Sequence, residues 1–231
     1  MAIARALIRN PEVLLMDEPL SSLDLKLREH MRTELRRLHD EFGHTVICVT
    51  HDQAEAMTMS DRIAVMKDGL IEQMGSPDKV YTKPVNTFVA AFLGTPSLNL
   101  LPAELAADHK PGLASKAEDN LLDVIFRENA ANTSVLAGVR PEDVLIGPID
   151  GDIGPADGGT TLAATIRLIE PTGASKLIFA DIWEQTGHPR RIIAMVPGHA
   201  NYRTSQHVPI SFRRGRVMVF DAKTERLVGF A

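Results

Sequence analysis

Two short apolar runs constrain this chain more than anything else in it. "EVLLMD", residues 12–17, and "TVICVT", residues 45–50, carry almost unbroken β-branched and aliphatic side chains up to a polar end. Runs of that kind read as central parallel strands, covered on both faces. Between them Leu23, Leu27, Met31, Leu35 and Leu38 recur every three or four positions across a highly charged segment. That spacing predicts a packed helix with a solvated outer face. Strand, helix and strand together argue an α/β layer.

The pattern continues with "RIAVMKDGLIEQMG", predicted to be an antiparallel hairpin around an Asp68-Gly69 turn, and with short helices near 77–81 and 86–92. After "GTPSLN" it changes. "NLLDVIF", "SVLAGV", "TTLAATIRLIEPTG", "SKLIFADI", "RRIIAMVP", "HVPISF" and "RVMVFDA" are short strand candidates separated by Gly, Pro, Asn or Asp clusters. They predict a small all-β barrel or sandwich over residues 95–231, distinct from an α/β part over 1–94. "IGPIDGDIGPADGGT" is too rich in glycine and proline to pack as a strand and reads as an exposed loop.

Several classes are excluded early. The hydrophobic share of 44% suffices for a core, so a disordered chain is not expected. A net charge of -5 and an aromatic content of 5% supply neither a basic field nor a stacking platform for nucleic acid. The single cysteine, Cys48, has no internal partner and is expected to be a small buried hydrophobe in a reducing compartment. No run approaches a membrane span, and no basic stretch precedes a long apolar one, so neither a membrane crossing nor a standard secretion signal is expected.

Chemistry concentrates where the two strands end. Asp17 and Glu18 emerge at the carboxyl end of a buried strand, where open α/β sheets bind ligands. Adjacent strand residues point to opposite faces, which predicts different tasks: one carboxylate holds a hydrated Mg²⁺, the other faces a water. An alternative is that both acids merely begin a surface turn. Thr50 and His51 end the second run, and parallel neighbours would bring His51 close to Asp17 and Glu18, able to orient groups by hydrogen bonding. The alternative for His51 is a capping or interface role. Asp52 reads as a helix N-cap, with Glu55 three residues later completing a capping box.

The succession "LLMDEPLSSLD", a helix, "VTHDQAEAMTMSDRIAVMKDG" and "GSPDKVY" resembles the ATP-binding subunit of ABC importers, in the subgroup handling carbohydrates, glycerol phosphate and related solutes. The resemblance implies that residues 1–94 are the C-terminal part of a P-loop NTPase domain of RecA-like fold. Asp17 then supports the Mg²⁺ water shell, Glu18 is the catalytic carboxylate, and His51 is the switch histidine that senses the γ-phosphate. Ser21, Ser22, Leu23 and Asp24 match the D-loop, which crosses the dimer interface toward the partner's nucleotide. "GTPSLNL", "AGVRPEDV", "IEPTGASKLIF" and "RVMVFDAKTERLV" are similar to an accessory β domain of the oligonucleotide-binding-like type that regulates the transporter. The implied cofactors are ATP and Mg²⁺. The implied partners are a second ATPase subunit, transmembrane permease subunits and, indirectly, an extracytoplasmic solute-binding protein, at the cytoplasmic face of the plasma membrane; no nucleic acid is implied.

The departures from the family pattern are equally definite. No GxxxxGKS/T loop occurs in the 231 residues, and the glutamine loop, the adenine-stacking aromatic and the LSGGQ signature are absent too. The opening "MAIARALIRNPEVLLMDEP" resembles the helix just behind that signature. Met1 is therefore expected to be internal to a longer protein, and the chain to lack ATPase activity alone. Without neighbouring strands, "EVLLMD" and "TVICVT" are also expected to carry exposed backbone or apolar faces. A regulatory or dimerising module without catalysis is the alternative; a DNA-repair ATPase with related motifs suits the β half and "GSPDKVY" less well.

Overall fold

A computed structural model describes residues 11–105, 124–125, 135–147, 161–183 and 189–231. They separate into two compact units, Met1–Thr82 and Lys83–Ala231. The opening "MAIARALIRN", most of "NLLDVIF" and residues 148–160 of the glycine-rich stretch lie outside the described residues.

In the first unit β1 (Val13–Asp17) and β2 (Thr45–Val49) pair in parallel, with Val13 opposite Thr45 and Asp17 opposite Val49. The connection is α1 (Leu25–Phe42). Its N-terminus is fixed by Asp24, whose carboxylate accepts the Leu27 N–H at 3.0 Å. Its C-terminus is fixed by Gly43 at φ 64°, whose N–H donates to the His39 carbonyl. Arg36 ties α1 to the end of α2 (Gln53–Met59) through the Met59 carbonyl at 3.1 Å and Asp61 at 2.9 Å. β3 (Ile63–Lys67) and β4 (Leu70–Gly75) form the expected antiparallel hairpin, and α3 (Pro77–Thr82) closes the unit. Asp68 and Gly69 both take positive φ, 50° and 79°, the hairpin-turn geometry that an Asp-Gly pair favours.

The two-sided cover expected for β1 and β2 is not found. Leu14 is buried, but Leu15 is 72% exposed and Ile47 and Val49 are 56% exposed each. Alternation explains the split: Val13 and Leu15 share a face with Ile47 and Val49, and no described element packs there. Exposed apolar faces, also expected for a sheet of so few strands, are what the unit presents. Cys48, expected to be buried, is exposed on the same two-stranded sheet.

The second unit is an antiparallel double sheet. One sheet has the order β11 (Pro189–Pro197), β10 (Ser175–Trp183), β9 (Leu162–Pro171), β12 (His207–Phe212) and β8 (Val144–Ile146). The other runs β14 (Leu227–Phe230), β13 (Met218–Asp221), β7 (Val135–Val139), β5 (Asn99–Leu105) and β6 (Val124–Ile125). Inward residues of both sheets, among them Val135, Ala137, Ile166, Ile178, Ile192, Ile210 and Val219, build one buried core. Asn99 joins the sheets with polar bonds. Its Nδ2 donates to the carbonyls of Val139 at 3.1 Å and Ile193 at 2.8 Å, and its Oδ1 accepts the Ile193 N–H at 2.7 Å.

The second sheet is covered on its outer side as well. Met218 and Phe220 alternate with core-facing Val219 and pack with Ala90 and Leu98. Gly138 is required by this closeness, because a Cβ there would lie 2.7 Å from Leu98 Cδ2 and 2.8 Å from Phe220 Cε2. Ala90 belongs to α4 (Thr87–Phe92), capped by Asn86, whose Oδ1 accepts the Val89 N–H at 2.9 Å. The buried Arg140 donates from Nη1 to the carbonyls of Ala90 and Leu93 at the other end of this helix. Val85 and Thr87 exchange backbone bonds with Leu227 and Glu225. Residues 83–94 therefore fold with the β unit, ahead of the Gly94-Thr95 break that the sequence suggested as the joint.

This division is testable with two C-terminal pieces. Residues 83–231 should unfold cooperatively in urea, and 95–231 should be less stable by at least ~2 kcal/mol, because it loses buried Val89, Ala90 and Leu93 and strands Arg140 without those carbonyls. Equal urea midpoints would mean that residues 83–94 add nothing to the unit.

Candidate functional site

The parallel register decides what meets at the end of the sheet. Because Asp17 lies opposite Val49, the chains leave the sheet level with each other, and the Glu18 N–H extends the pairing by donating to the Val49 carbonyl at 2.8 Å. Glu18 has already left the strand. Its φ of 43° lies in the left-handed region, a conformation that costs a non-glycine residue about 1–2 kcal/mol. The divergence of Asp17 from Glu18 thus comes from this turn and not from the strand alternation that the sequence suggested. Ser21 secures the turn: its N–H and Oγ both donate to the Glu18 carbonyl, at 3.2 and 2.9 Å. Leu20, fully buried, anchors the same turn.

His51 reaches across from the end of β2. Its Nδ1 lies 2.9 Å from Glu18 Oε1. That carboxylate raises the imidazole pKa above the ordinary 6.5, chiefly through the hydrogen bond and then through charge, with smaller contributions from Asp52 and Glu55. Asp52 caps α2 as expected, accepting the N–H groups of Ala54 and Glu55 at 2.8 and 3.3 Å. The reciprocal half of the expected capping box is replaced. Glu55, buried, accepts a bond from the Thr50 hydroxyl at 2.7 Å, and that hydroxyl accepts the Asp52 N–H at 3.0 Å. Thr50 stands between the two acids and shortens the connection, because its Oγ is already at the cap.

The other sequence-nominated residues divide by position. Asp17 ends β1 with an exposed side chain, Ser22 is exposed in the turn, and Asp24 is occupied as the N-cap of α1. Leu23 contributes its carbonyl, which accepts a bond from Arg28 Nη2 at 3.1 Å. Arg28 went unread in the sequence because its spacing matches the charged outer side of α1; its one signal is its place a single turn after Asp24.

Glu18, Ser21, Arg28, Thr50, His51, Asp52 and Glu55 line a shallow, open depression with room for a water molecule. The residues thus fit a water held by a carboxylate and an imidazole. Among the described residues no cluster of three or more His, Cys, Asp or Glu could enclose a metal. A hydrated Mg²⁺ keeps several waters and takes only one or two carboxylates, so an exposed carboxylate such as Asp17 could hold its outer side. No described helix is long and apolar enough to cross a membrane.

No family model matches the chain. Individual relatives do. The sulfoquinovosyl glycerol transport ATP-binding protein SmoE of Agrobacterium fabrum is 37% identical over 229 residues, 99% of this chain and 60% of its own length. The xylose/arabinose import ATP-binding protein XacK of Haloferax volcanii is 41% identical over 228 residues, 97% and 56% respectively. The sn-glycerol-3-phosphate import ATP-binding protein UgpC of Vibrio vulnificus is 38% identical over 227 residues, 98% and 57%. The chain is a homologue of the ATP-binding subunits of ABC importers. It spans a little over half the length of these importer subunits. Among solved structures, a molybdate-bound form of the cytoplasmic molybdate-binding protein ModG aligns with 43% of this chain and 74% of its own at 18% identity. Its TM-score of 0.33 is too low to assign a fold.

The histidine contact predicts a titration. A raised folded pKa means that the Glu18–His51 pair stabilises the fold in full below the ordinary histidine value, and that the contribution is lost as pH rises through the raised one. NMR titration of the His51 ring should give a midpoint above 6.5, and Glu18→Gln should bring it back down. A parental midpoint unmoved by Glu18→Gln would show that the pair is not formed in solution.

Proposed function

We propose that this chain is the water-activating and state-sensing part of an ABC importer ATPase that energises uptake of a sugar, glycerol phosphate or a related solute. The observation that carries the reading is the 2.9 Å contact between Glu18 and His51 at the ends of two parallel strands. In this reading Glu18 is the carboxylate that polarises or deprotonates the attacking water, His51 orients it and senses the terminal phosphate, and Asp17 stands on the Mg²⁺ side. ATP supplies the phosphoryl group. The Ser21–Asp24 turn crosses toward the nucleotide of a second subunit. The solutes named for the relatives, sulfoquinovosyl glycerol, pentoses and glycerol phosphate, support the substrate class.

The whole assembly follows from the same reading. Two ATPase subunits sandwich ATP and Mg²⁺ at the cytoplasmic face of the membrane and drive permease subunits, which receive solute from an extracytoplasmic binding protein. Residues 83–231 act as the accessory regulatory domain, of the oligonucleotide-binding-like type. A second reading is favoured by one observation: these 231 residues contain no phosphate loop. By itself the chain is then a non-catalytic binding or dimerising module.

Two measurements separate these readings. In a longer protein that carries the phosphate loop, Glu18→Gln should abolish hydrolysis while leaving ATP binding intact, and Asp17→Asn should weaken both the chemistry and its Mg²⁺ dependence. Hydrolysis by the Glu18→Gln protein at the parental rate would remove Glu18 from the role. For the 231-residue chain alone, calorimetry with ATP and Mg²⁺ should find no binding tighter than about 1 mM, roughly 4 kcal/mol, because the amides and lysine that cradle phosphates are absent. Saturable micromolar binding would overturn that expectation.

A further inference from the structure

Arg28 makes three polar contacts that converge on the candidate site from behind. Its Nη2 donates to the carbonyls of Leu23 at 3.1 Å and Ser21 at 3.4 Å, and its Nη1 approaches Asp52 Oδ2 at 3.4 Å. The side chain is 27% exposed, so most of it is covered while it does so. Two of the contacts, those to Ser21 and Asp52, each lead to one half of the pair at the sheet end. Ser21 holds the Glu18 carbonyl by two bonds, and Asp52 follows His51 directly and caps α2.

From these contacts we infer that Arg28 is a positioning residue, which clamps the Ser21–Asp24 turn to the junction of β2 and α2 and so keeps Glu18 and His51 in register. The inference rests on the proposed function only for the claim that this register serves hydrolysis. A guanidinium suits the task because its planar fork can serve two carbonyls and a carboxylate together, whereas an ammonium offers a compact point charge. The strained φ of Glu18 makes such a clamp useful. A residue at φ 43° relaxes unless its neighbours hold it, and the Ser21 bonds that do so are themselves held through the Ser21 carbonyl.

Charge and position make opposite demands, which gives the test its sign. The charged groups around His51 are Glu18, Asp52 and Glu55, with Arg28 and Arg32 beside Asp52. Removing a cation from that neighbourhood favours the protonated imidazole and raises its midpoint. Losing the clamp separates His51 from Glu18 and lowers it. In the full 231-residue chain, with the His51 ring signal assigned by its loss in His51→Gln, Arg28→Met should lower the midpoint by at least ~0.5 unit, about threefold in the protonation equilibrium. Arg28→Lys should fall between Arg28→Met and the parent. A midpoint that stays or rises in both variants, while Glu18→Gln lowers it, overturns the inference. Should Arg28→Met lose its folded spectrum, Arg28→Lys decides alone: a partial drop supports the clamp and a parental midpoint overturns it. Failure of the hydrolytic reading would appear separately, as a Glu18→Gln protein of full length with parental ATPase activity and an unchanged titration result.

Discussion

The pairing of Asp17 with Val49 is the constraint from which the candidate site follows. Side chains in a strand alternate, so a slip of one residue between β1 and β2 would send every side chain of one strand to the other face. It would also bring Glu18 level with a different residue and take its N–H off the Val49 carbonyl. With the register as it stands, carboxylate and imidazole leave the sheet side by side and need only their own turns to meet. Those turns are built from small polar groups that bond back to the main chain: Ser21 on one side, Thr50 and Asp52 on the other. The site is thus a property of two chain exits, with no deep cavity to enclose it.

The two units handle their apolar surface differently. In Lys83–Ala231 both faces of β13 are buried, one in the sandwich interior and one among Ala90 and Leu98. In Met1–Thr82 the pair β1–β2 leaves Val13, Leu15, Ile47 and Val49 uncovered. Among the described residues no helix covers that face, whatever its sequence asks for. The matched segment spans 60% and 56% of two of these relatives, so this contrast accompanies a match that covers only part of each of them.

Much of this was legible because local chemistry and fold agree. Continuous apolar runs became β1 and β2, Asp68-Gly69 became the hairpin turn, and Glu18 and His51 came together at the strand ends. What was hidden depended on neighbours that are distant in sequence. β5 was missed because Pro102 and the preceding breakers mask it, and β8 and β14 are only a few residues long. Gly94 and Pro96 mark where α4 stops, but the unit it packs with is decided by Arg140, Glu225 and Leu227. Glu55 looked like half of a capping box, yet a hydroxyl at Thr50 intercepted its carboxylate. Arg28 belongs to the same class. Two of its partners are carbonyls, which carry no side-chain signature, and the third, the cap Asp52, lies 24 residues along the chain.

The double-sided burial of β13 has a thermodynamic side. Val219 answers to the closed interior between the sheets, while Met218 and Phe220 answer to α4 and the segment after it. Lifting α4 would bare Met218 and Phe220 without parting the sheets, which Asn99 continues to hold together through Val139 and Ile193. Undocking of the helix and melting of the sandwich are therefore separate openings on the free-energy ladder, the first local and shallow, the second global. One strand carries the joint between them, with consecutive side chains facing the helix and the interior.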